Sequence, residues 1–247
     1  MGTKFSTRVW VSVVGIASIF FGSKGYADTV ISVADFGLKP DTRENAVAYV
    51  QKAIEACRGK EPVTLVFPEG RYDFWPQYAH EKNYYETNTY DVFPKRLAML
   101  FEGLHNITVD GNGSQFVMHD RIQPITVENC DGVTLKNFSI DWDIPLTAQA
   151  RVTKVGSDFF EIEINVLESP YIIEDGKLVF VGEGWKSALG SMIEFESDTH
   201  FVVPGTGDLV LGWNWGDYTA VSPRYGIVRL SRKGGFERYP AEGNWLV

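Results

Sequence analysis

The stretch VADFGLKPDTRENAVAYVQKAIEACRGKEPVTLVFPEGRYDF, residues 33–74, decides the fold because it predicts a strand, a helix and a second strand that ends on a Pro-Glu-Gly turn. Apolar side chains recur in it at helical spacing and predict one buried helix face, made of Ala46, Val47, Val50, Ile54 and Cys57. Asp41 and Thr42 are candidate N-caps, and Gly59 is the expected end of the helix. The run 63–67 is short, β-rich and mostly apolar, which predicts a strand packed against that helix.

A second pattern is a short sequence repeat that occurs twice, 26 residues apart. Ile107 and Val109 in the first copy correspond to Val133 and Leu135 in the second. Short strands with Asn, Asp and Gly turns, repeated at such a period, are typical of a solenoid. Alternation along each strand predicts that the apolar members face the interior, namely Ile107, Val109, Val133, Leu135, Phe138 and Ile140.

From Pro145 onward the pattern changes to hairpins. Residues 152–155 and 159–166 flank a Gly-Ser-Asp turn, and residues 171–173 and 178–181 flank Asp175-Gly176. Such pairs of strands predict a small antiparallel barrel or sandwich. The chain finishes on an apolar Asn-Trp-Leu-Val without a polar terminal cap, so we expect a truncated protein.

Together these patterns predict an all-β fold. The expected architecture is a right-handed parallel β-helix with an N-terminal capping helix, an inserted small antiparallel β-barrel domain, and truncation at the C-terminus. The expected domains are a signal peptide (1–27), the cap and first coils of the β-helix (28–144), the barrel-like insert (145–222) and the start of a continuing β-rich region (223–247).

The N-terminus has the layout of a secretory signal. Lys4 and Arg8 precede the apolar run 9–21, and residues 25–27 offer small side chains for cleavage. The run is shorter than the about 20 residues of a spanning helix, so an uncleaved membrane anchor is the lesser alternative. We therefore expect export to the periplasm or the extracellular space, with no other membrane association.

Charge and cysteine content limit the partners. The formal net charge is −9 and becomes −12 once Lys4, Arg8 and Lys24 are removed with the signal, which argues against nucleic acid and favours a neutral glycan over a polyanion. Cys57 and Cys130 are expected to be two free thiols. The four histidines are scattered and no zinc spacing occurs, so neither a metal nor a cofactor is expected. The oligomeric state is left open.

Several segments carry a resemblance to a known family. They are VADFGLKPDT with QKAIEAC and LVFPEGRYDFWP, then LHNITVDGNGSQFVMHD, VTLKNFSIDWDIPLTAQARV, GWNWGDYTAV and RLSRKGGFERYPAEGNWLV. The chain resembles the N-terminal part of the α-1,3-galactosidases of glycoside hydrolase family 110, within the pectin-lyase-like β-helix superfamily. The resemblance implies inverting removal of terminal α-1,3-linked galactose from blood-group-B-type or linear glycans. Family members are longer, and their essential acids are expected beyond residue 247.

Asp141 and Asp143 are the candidate catalytic pair. Two strand steps of about 3.3 Å place their Cα atoms roughly 6.6 Å apart, just compatible with the about 6.5–9.5 Å between the carboxyls of inverting glycosidases. The alternative is that both aspartates cap the turn before Pro145. Trp142, Trp213 and Trp215 are candidate sugar-binding side chains, with core packing as their alternative.

Two other functions remain open at the level of sequence. The region could be a noncatalytic glycan-binding or structural module, or a pectin-lyase-like enzyme acting on another polysaccharide. His105 and His119 lie beside Asn106 and Asp120, and we interpret them as turn residues without a catalytic role.

Overall fold

The computed structural model describes residues 29–84, 94–205 and 218–247. These ranges contain the α-helix α1 (Val47–Cys57) and a 3-10 helix (Val33–Phe36). Neither of these two helices is long and apolar enough to cross a bilayer. The predicted signal peptide, residues 1–27, lies outside the described ranges.

The described strands fall into an N-terminal and a C-terminal group. The first group comprises β1 (Thr29–Ser32), β2 (Val63–Val66), β3 (Arg71–Phe74), β4 (His80–Lys82), β5 (Lys95–Glu102), β6 (His105–Met118), β7 (Gln123–Glu128) and β8 (Asp131–Trp142). The second comprises β9 (Ala150–Val155), β10 (Phe159–Ile164), β11 (Tyr171–Glu174), β12 (Lys177–Gly182), β13 (Trp185–Ala188), β14 (Glu194–Phe195), β15 (Tyr218–Arg224), β16 (Ile227–Arg232) and β17 (Trp245–Leu246).

These strands form four sheets. The first has the order β1-β2-β6-β3, with β8 also paired to β6, and all its pairings are parallel. A second joins β4, β5 and β7. The C-terminal group forms an antiparallel six-stranded sheet, β14-β17-β9-β10-β16-β15, and an antiparallel three-stranded sheet, β11-β12-β13.

The predicted fold class is wrong. The described residues form separate small sheets, none of them closed, in place of a right-handed parallel β-helix with an inserted barrel. The 26-residue repeat occurs in only two copies, so it specifies a pair of neighbouring parallel strands without a longer stack. After Ala150 the described strands include four pairs of successive antiparallel strands, β9–β10, β11–β12, β12–β13 and β15–β16, in sheets that are open.

The register predicted from the repeat is confirmed. Ile107 lies opposite Val133 and Val109 lies opposite Leu135 in the β6–β8 pair. Ile107 and Val109 are buried. Leu135 and Ile140 are paired in register with the buried Val109 and Phe116 and lie on the same face, but they stay 39% and 38% exposed. Among the described strands β8 pairs only with β6, and an edge strand has neighbours on one side only.

The predicted buried face of α1 is confirmed, since all five of its apolar side chains are buried in the first hydrophobic core. The predicted N-caps are wrong, because the helix begins at Val47 and the Asn45 Oδ1 accepts its backbone N–H at 3.1 Å. The Asp41 carboxylate instead accepts the backbone N–H of Arg71. Asn45 also accepts the N–H of Trp75, so it fixes the start of α1 relative to the end of β3.

The two predicted hairpins are confirmed. β9 pairs with β10, and β11 pairs with β12. Asp175 and Gly176 both have positive φ, 50° and 69°, as a two-residue type I′ turn requires.

Apolar side chains form two cores. The first includes Ile31 to Ile122 and the second Ala150 to Leu246. Phe116 lies at the centre of an aromatic group in the first core, with ring centroids 4.7–6.2 Å from those of Phe67, Phe138, Phe74 and Tyr72. The boundaries of the predicted domains at 144/145 and 222/223 stay a prediction.

Gly111 is required by close packing between β6 and β8. A Cβ atom there would lie 2.5 Å from the Phe138 Cβ and 2.7 Å from the Asn137 carbonyl oxygen. We expect Gly111→Ala to lower the free energy of unfolding by about 1–3 kcal/mol, because backbone must move to relieve the contact. Urea unfolding measures this. Gly190→Ala is the matched control, since its Cβ would enter open space; equal losses in the two variants would contradict the assignment.

The two thiols are both free, as predicted. Burial raises the pKa of Cys57 to about 11, and its Sγ lies 3.3 Å from the Ala53 carbonyl oxygen. Thiolate is the reactive form, so we expect a thiol reagent at pH 8 to label Cys130 in the native protein and Cys57 only after unfolding. Mass spectrometry of alkylated peptides provides the measurement. Equal labelling of both residues in the native protein would contradict it.

Candidate functional site

Charged side chains converge at the carboxyl ends of β3, β6 and β8. We call this group the His119 cluster; it consists of Arg71, Asp73, His119, Asp143 and Glu183. Asp73 and His119 are buried, with 0% and 3% of their side chains exposed. Buried ionisable groups need charged or hydrogen-bonding partners, so the two buried side chains depend on the other members of the cluster.

The strand register explains how the cluster forms. Phe74, Met118 and Trp142 lie in one row across β3, β6 and β8. The backbone N–H of His119 donates to Phe74 and that of Asp143 to Met118, so the residues that follow these strands meet at one edge. Glu183 enters from the other half of the chain, in the turn between β12 and β13.

Both ring nitrogens of His119 face carboxylates. Nε2 lies 2.9 Å from Asp73 Oδ1 and Nδ1 lies 2.6 Å from Glu183 Oε2. The indole of Trp75 stacks on the imidazole at a centroid distance of 3.8 Å. The ring is therefore fixed in position and orientation.

Arg71 joins the two aspartates of the cluster. Its Nε donates to both carboxylate oxygens of Asp73, and its Nη2 lies 2.6 Å from Asp73 Oδ1 and 2.7 Å from Asp143 Oδ1. Arg43 adds a second guanidinium at 3.8 Å and 3.6 Å from the same oxygens. Burial by itself raises the pKa of Asp73, but hydrogen bonds from Arg71 and His119 outweigh it and hold that pKa below its ordinary value. The pKa of Arg71 is raised, first of all by its hydrogen bonds to Asp73.

Three of these residues have the donor set of a metal site. One ligand atom each from Asp73, His119 and Asp143 lies within 4.8 Å of the others. However, the carboxylate oxygens involved already accept hydrogen bonds from Arg71, whose guanidinium supplies the compensating positive charge. We assign no metal to this group.

The two residues of the predicted catalytic pair have different surroundings in the structure. Asp143 belongs to the His119 cluster, whereas the exposed Asp141 accepts the backbone N–H of Trp142 at 2.8 Å. Because β8 ends at Trp142, the strand geometry used for the prediction applies to Asp141 but not to Asp143. The catalytic role of the two residues stays a prediction.

Of the predicted sugar-binding residues, the structure describes Trp142. Trp142 is half-buried against the first core, and its Nε1 donates to the Asp120 carbonyl at 3.2 Å. Trp213 and Trp215 lie outside the described residues. Their roles stay predictions.

Sequence reasoning missed Asp73 and His119 as members of a site. His119 follows β6 and makes hydrogen bonds, as its interpretation as a turn residue allows, but its burial between two carboxylates was not predicted. The available signal was Asp73, a charged residue between Tyr72 and Phe74 in a strand that is otherwise buried. A carboxylate in that position needs a cationic or hydrogen-bonding partner, which identifies the strand as part of a charged cluster without naming the partner.

Comparisons with known proteins identify the chain's relatives. The family described as GLAA-B beta-barrel domain I matches residues 148–246. The chain is 56% identical over 223 residues to Alpha-1,3-galactosidase B of Bacteroides thetaiotaomicron, covering 90% of this chain and 36% of that protein. It is 32% identical over 219 residues to Alpha-1,3-galactosidase A of Shewanella woodyi, covering 88% and 35%. A third relative, Alpha-1,3-galactosidase B of Phocaeicola vulgatus, is 36% identical over 205 residues, covering 81% and 32%.

The matched domain lies in the C-terminal part of the chain and carries the description GLAA-B beta-barrel domain I. The similarity to proteins named α-1,3-galactosidase confirms the resemblance read from the sequence. The chain spans about a third of the length of these curated relatives, consistent with an N-terminal portion.

Proposed function

We propose that this region is part of an exported glycoside hydrolase that removes terminal α-1,3-linked galactose from glycans. The observation that carries the proposal is the 56% identity over 90% of the chain to a protein named Alpha-1,3-galactosidase B. Because the matched part is about a third of the relatives' length, the activity is proposed for a polypeptide of the relatives' length that contains this region.

The proposed substrates are neutral glycans with terminal α-galactose, of blood-group-B type or linear. The net charge of −9 supports a neutral substrate over a polyanionic one. The proposed chemistry is inversion, in which one carboxyl protonates the leaving oxygen and a second activates water. Asp141 and Asp143 are the candidates within this chain.

The test measures galactose released from a B-type oligosaccharide and from linear α-1,3-galactobiose. The 247-residue chain is compared with a version extended to the relatives' length, and NMR identifies the anomer released first. Release of β-galactose by the extended protein supports the proposal, whereas no release from either substrate contradicts it. Asp141→Asn and Asp143→Asn test the candidate pair; Asp131→Asn, an exposed aspartate on the same strand, is the matched control.

Export is a separate part of the proposal. Lys4, Arg8 and the apolar run 9–21 support a cleaved signal. Expression in a bacterial host followed by mass spectrometry of the periplasmic and secreted fractions tests it. A protein retained in the membrane with residues 1–27 attached would contradict cleavage.

A second candidate function for the 247-residue chain by itself is glycan binding without catalysis. This function is favoured because both candidate carboxylates already have partners. Asp143 is ion-paired to Arg71, and Asp141 accepts the backbone N–H of Trp142. Calorimetric titration with α-1,3-galactobiose separates the two functions, because binding without galactose release supports a binding module. The pectin-lyase-like alternative depended on the β-helix prediction and is not retained.

A further inference from the structure

A groove with a volume of about 1150 Å³ lies where the chain enters β9 and where β17 ends. It is lined by residues 146–150, 187–193 and 246–247, together with Ile162 and Phe180. Ala150 of β9 lies opposite Leu246 of β17, so these two parts of the chain are neighbours in one sheet. Small-molecule sites usually have volumes of about 300–1,000 Å³, and the larger volume here favours an occupant of polypeptide size.

The groove is uncharged and apolar. No charged side chain lines it among the described residues, although 22% of the residues in the chain are charged. Its floor includes the buried Ile162, Leu189 and Met192, and Leu146, which also lines it, is 45% exposed. Charged residues are depleted in the same way at the buried centre of protein interfaces. A charged group docked here would lose water without gaining a partner, so the groove fits an uncharged occupant.

One wall of the groove is the edge of a strand. Ser187 and Ala188 of β13 both line the groove, although neighbouring residues of a strand point to opposite faces of its sheet. The groove therefore borders the edge of β13. Among the described strands β13 pairs with β12 alone, so its other edge is not paired with any of them. An extended polypeptide can add to such an edge through main-chain hydrogen bonds.

The curated relatives indicate which polypeptide is available. The chain spans about a third of their length and is consistent with their N-terminal portion, so the larger part of each relative follows the matched region. Val247 lines the groove, and its backbone is held by Ile193 through two hydrogen bonds with N–O distances of 2.8 Å and 3.0 Å. A segment joined to Val247 starts at the groove. Its docking is intramolecular, so weak apolar contacts are sufficient.

We propose that this groove is the docking surface for the polypeptide that follows residue 247 in a protein of the relatives' length. An uncharged, apolar stretch of that polypeptide lies in extended form beside β13 and covers the apolar floor. A sugar is the poorer occupant, because its hydroxyl groups need hydrogen-bond partners and the side chains of the floor are apolar. This inference does not depend on the proposed enzymatic activity.

The test is thiol labelling of Ser191→Cys in two proteins. One is the 247-residue chain, and the other is extended by the segment that follows the matched region in the Bacteroides thetaiotaomicron relative. Ser191 lines the groove and is exposed, so we expect rapid labelling in the 247-residue chain. In the extended protein we expect labelling at least about tenfold slower, because the reagent must wait for the groove to open. Equal rates in the two proteins would overturn the proposal.

Ser157→Cys is the matched control. Ser157 is also exposed and follows the other end of β9, outside the lining of the groove. We expect its labelling rate to be the same in both proteins, and equal slowing at both positions would overturn the proposal. Amide exchange of β10 (Phe159–Ile164) reports that the C-terminal strands are folded in each protein. The same segment added as a separate polypeptide gives a second measurement that does not require the extended protein to fold.

A charge in the groove tests the apolar character of the occupant. Ala188 lines the groove and is exposed, so Ala188→Asp should change the stability of the 247-residue chain by less than about 0.5 kcal/mol. In the extended protein we expect Ala188→Asp to restore rapid labelling of Ser191→Cys, because the occupant would bury an unpaired charge. Ser157→Asp is the matched control and should leave the slow labelling unchanged. Slow labelling that persists with Ala188→Asp would overturn the proposal.

Other occupants give different results, and each of these results would overturn the proposal. Protection of Ser191→Cys that rises with the concentration of the 247-residue chain would identify a second copy as the occupant. Protection on addition of α-1,3-galactobiose would identify a glycan. Slow labelling of the 247-residue chain at every concentration would show that the chain itself already covers the groove.

Discussion

Replacing Asp73 with alanine is expected to lower the free energy of unfolding by about 3–5 kcal/mol. The substitution removes a fully buried carboxylate that accepts hydrogen bonds from Arg71 and faces the Nε2 of His119. Arg71 then keeps Asp143 as a carboxylate partner and His119 keeps Glu183, but each loses its buried partner. Urea unfolding measured at pH 7 gives the loss directly.

Two further measurements separate this effect from a general loss of an ion pair. Glu55→Ala removes an exposed pair with Arg58 and is expected to cost at most about 1 kcal/mol. Asp73→Asn keeps the volume and is expected to cost less than Asp73→Ala. If Asp73→Ala is as stable as Glu55→Ala, the cluster does not have the stabilising role described.

Acid should destabilise the wild-type protein through the same carboxylate. Because the pKa of Asp73 is held below its ordinary value of 3.8 in the folded state, the stabilisation is present above that value and is lost as the pH falls through the folded-state pKa. Unfolding curves collected from pH 7 to pH 2 test this. Relative to wild type, Asp73→Asn should show a flatter dependence below about pH 4. Identical slopes would show that other carboxylates dominate acid unfolding.

Replacing Phe116 with alanine is expected to cost about 3–5 kcal/mol. The side chain is fully buried, and four other aromatic rings pack around it, so neighbouring atoms can fill the resulting cavity only in part. Thermal unfolding and urea unfolding should give the same decrease in the free energy of unfolding. Phe201→Ala is the control, since that ring is 73% exposed and its removal should change stability by less than about 0.5 kcal/mol. A loss near 1 kcal/mol for Phe116→Ala would indicate a first core that collapses around the cavity.

Local patterns predicted the parts of the fold that depend on nearest neighbours. The buried face of α1 could be predicted because helical spacing places Ala46, Val50 and Cys57 on one side, whatever packs against them. The β6–β8 register could be predicted because the two copies of the repeat place equivalent residues side by side. Hairpins such as β11–β12 were readable because Asp175-Gly176 tolerates the positive φ that the turn requires.

The parts that failed depend on residues distant in the sequence. The overall architecture was mistaken because two copies of a repeat fix one strand pair and say nothing about how many sheets the remaining strands form. The His119 cluster was missed because its five members come from four separate segments, and Glu183 follows His119 by 64 residues. The N-cap was misassigned because Asp41 binds the backbone of Arg71, a partner that only the folded chain supplies.

The contact between the 182–185 turn and the end of β6 also bears on kinetics. The contact between His119 and Glu183 closes a segment of 64 residues, which costs conformational entropy. We therefore expect this contact to form after the local strand pairs have assembled. Groups that pair late are absent from the folding transition state, and weakening them accelerates unfolding while leaving the folding rate almost unchanged. The lifetime of the assembled protein, more than the speed at which it assembles, should therefore depend on Glu183.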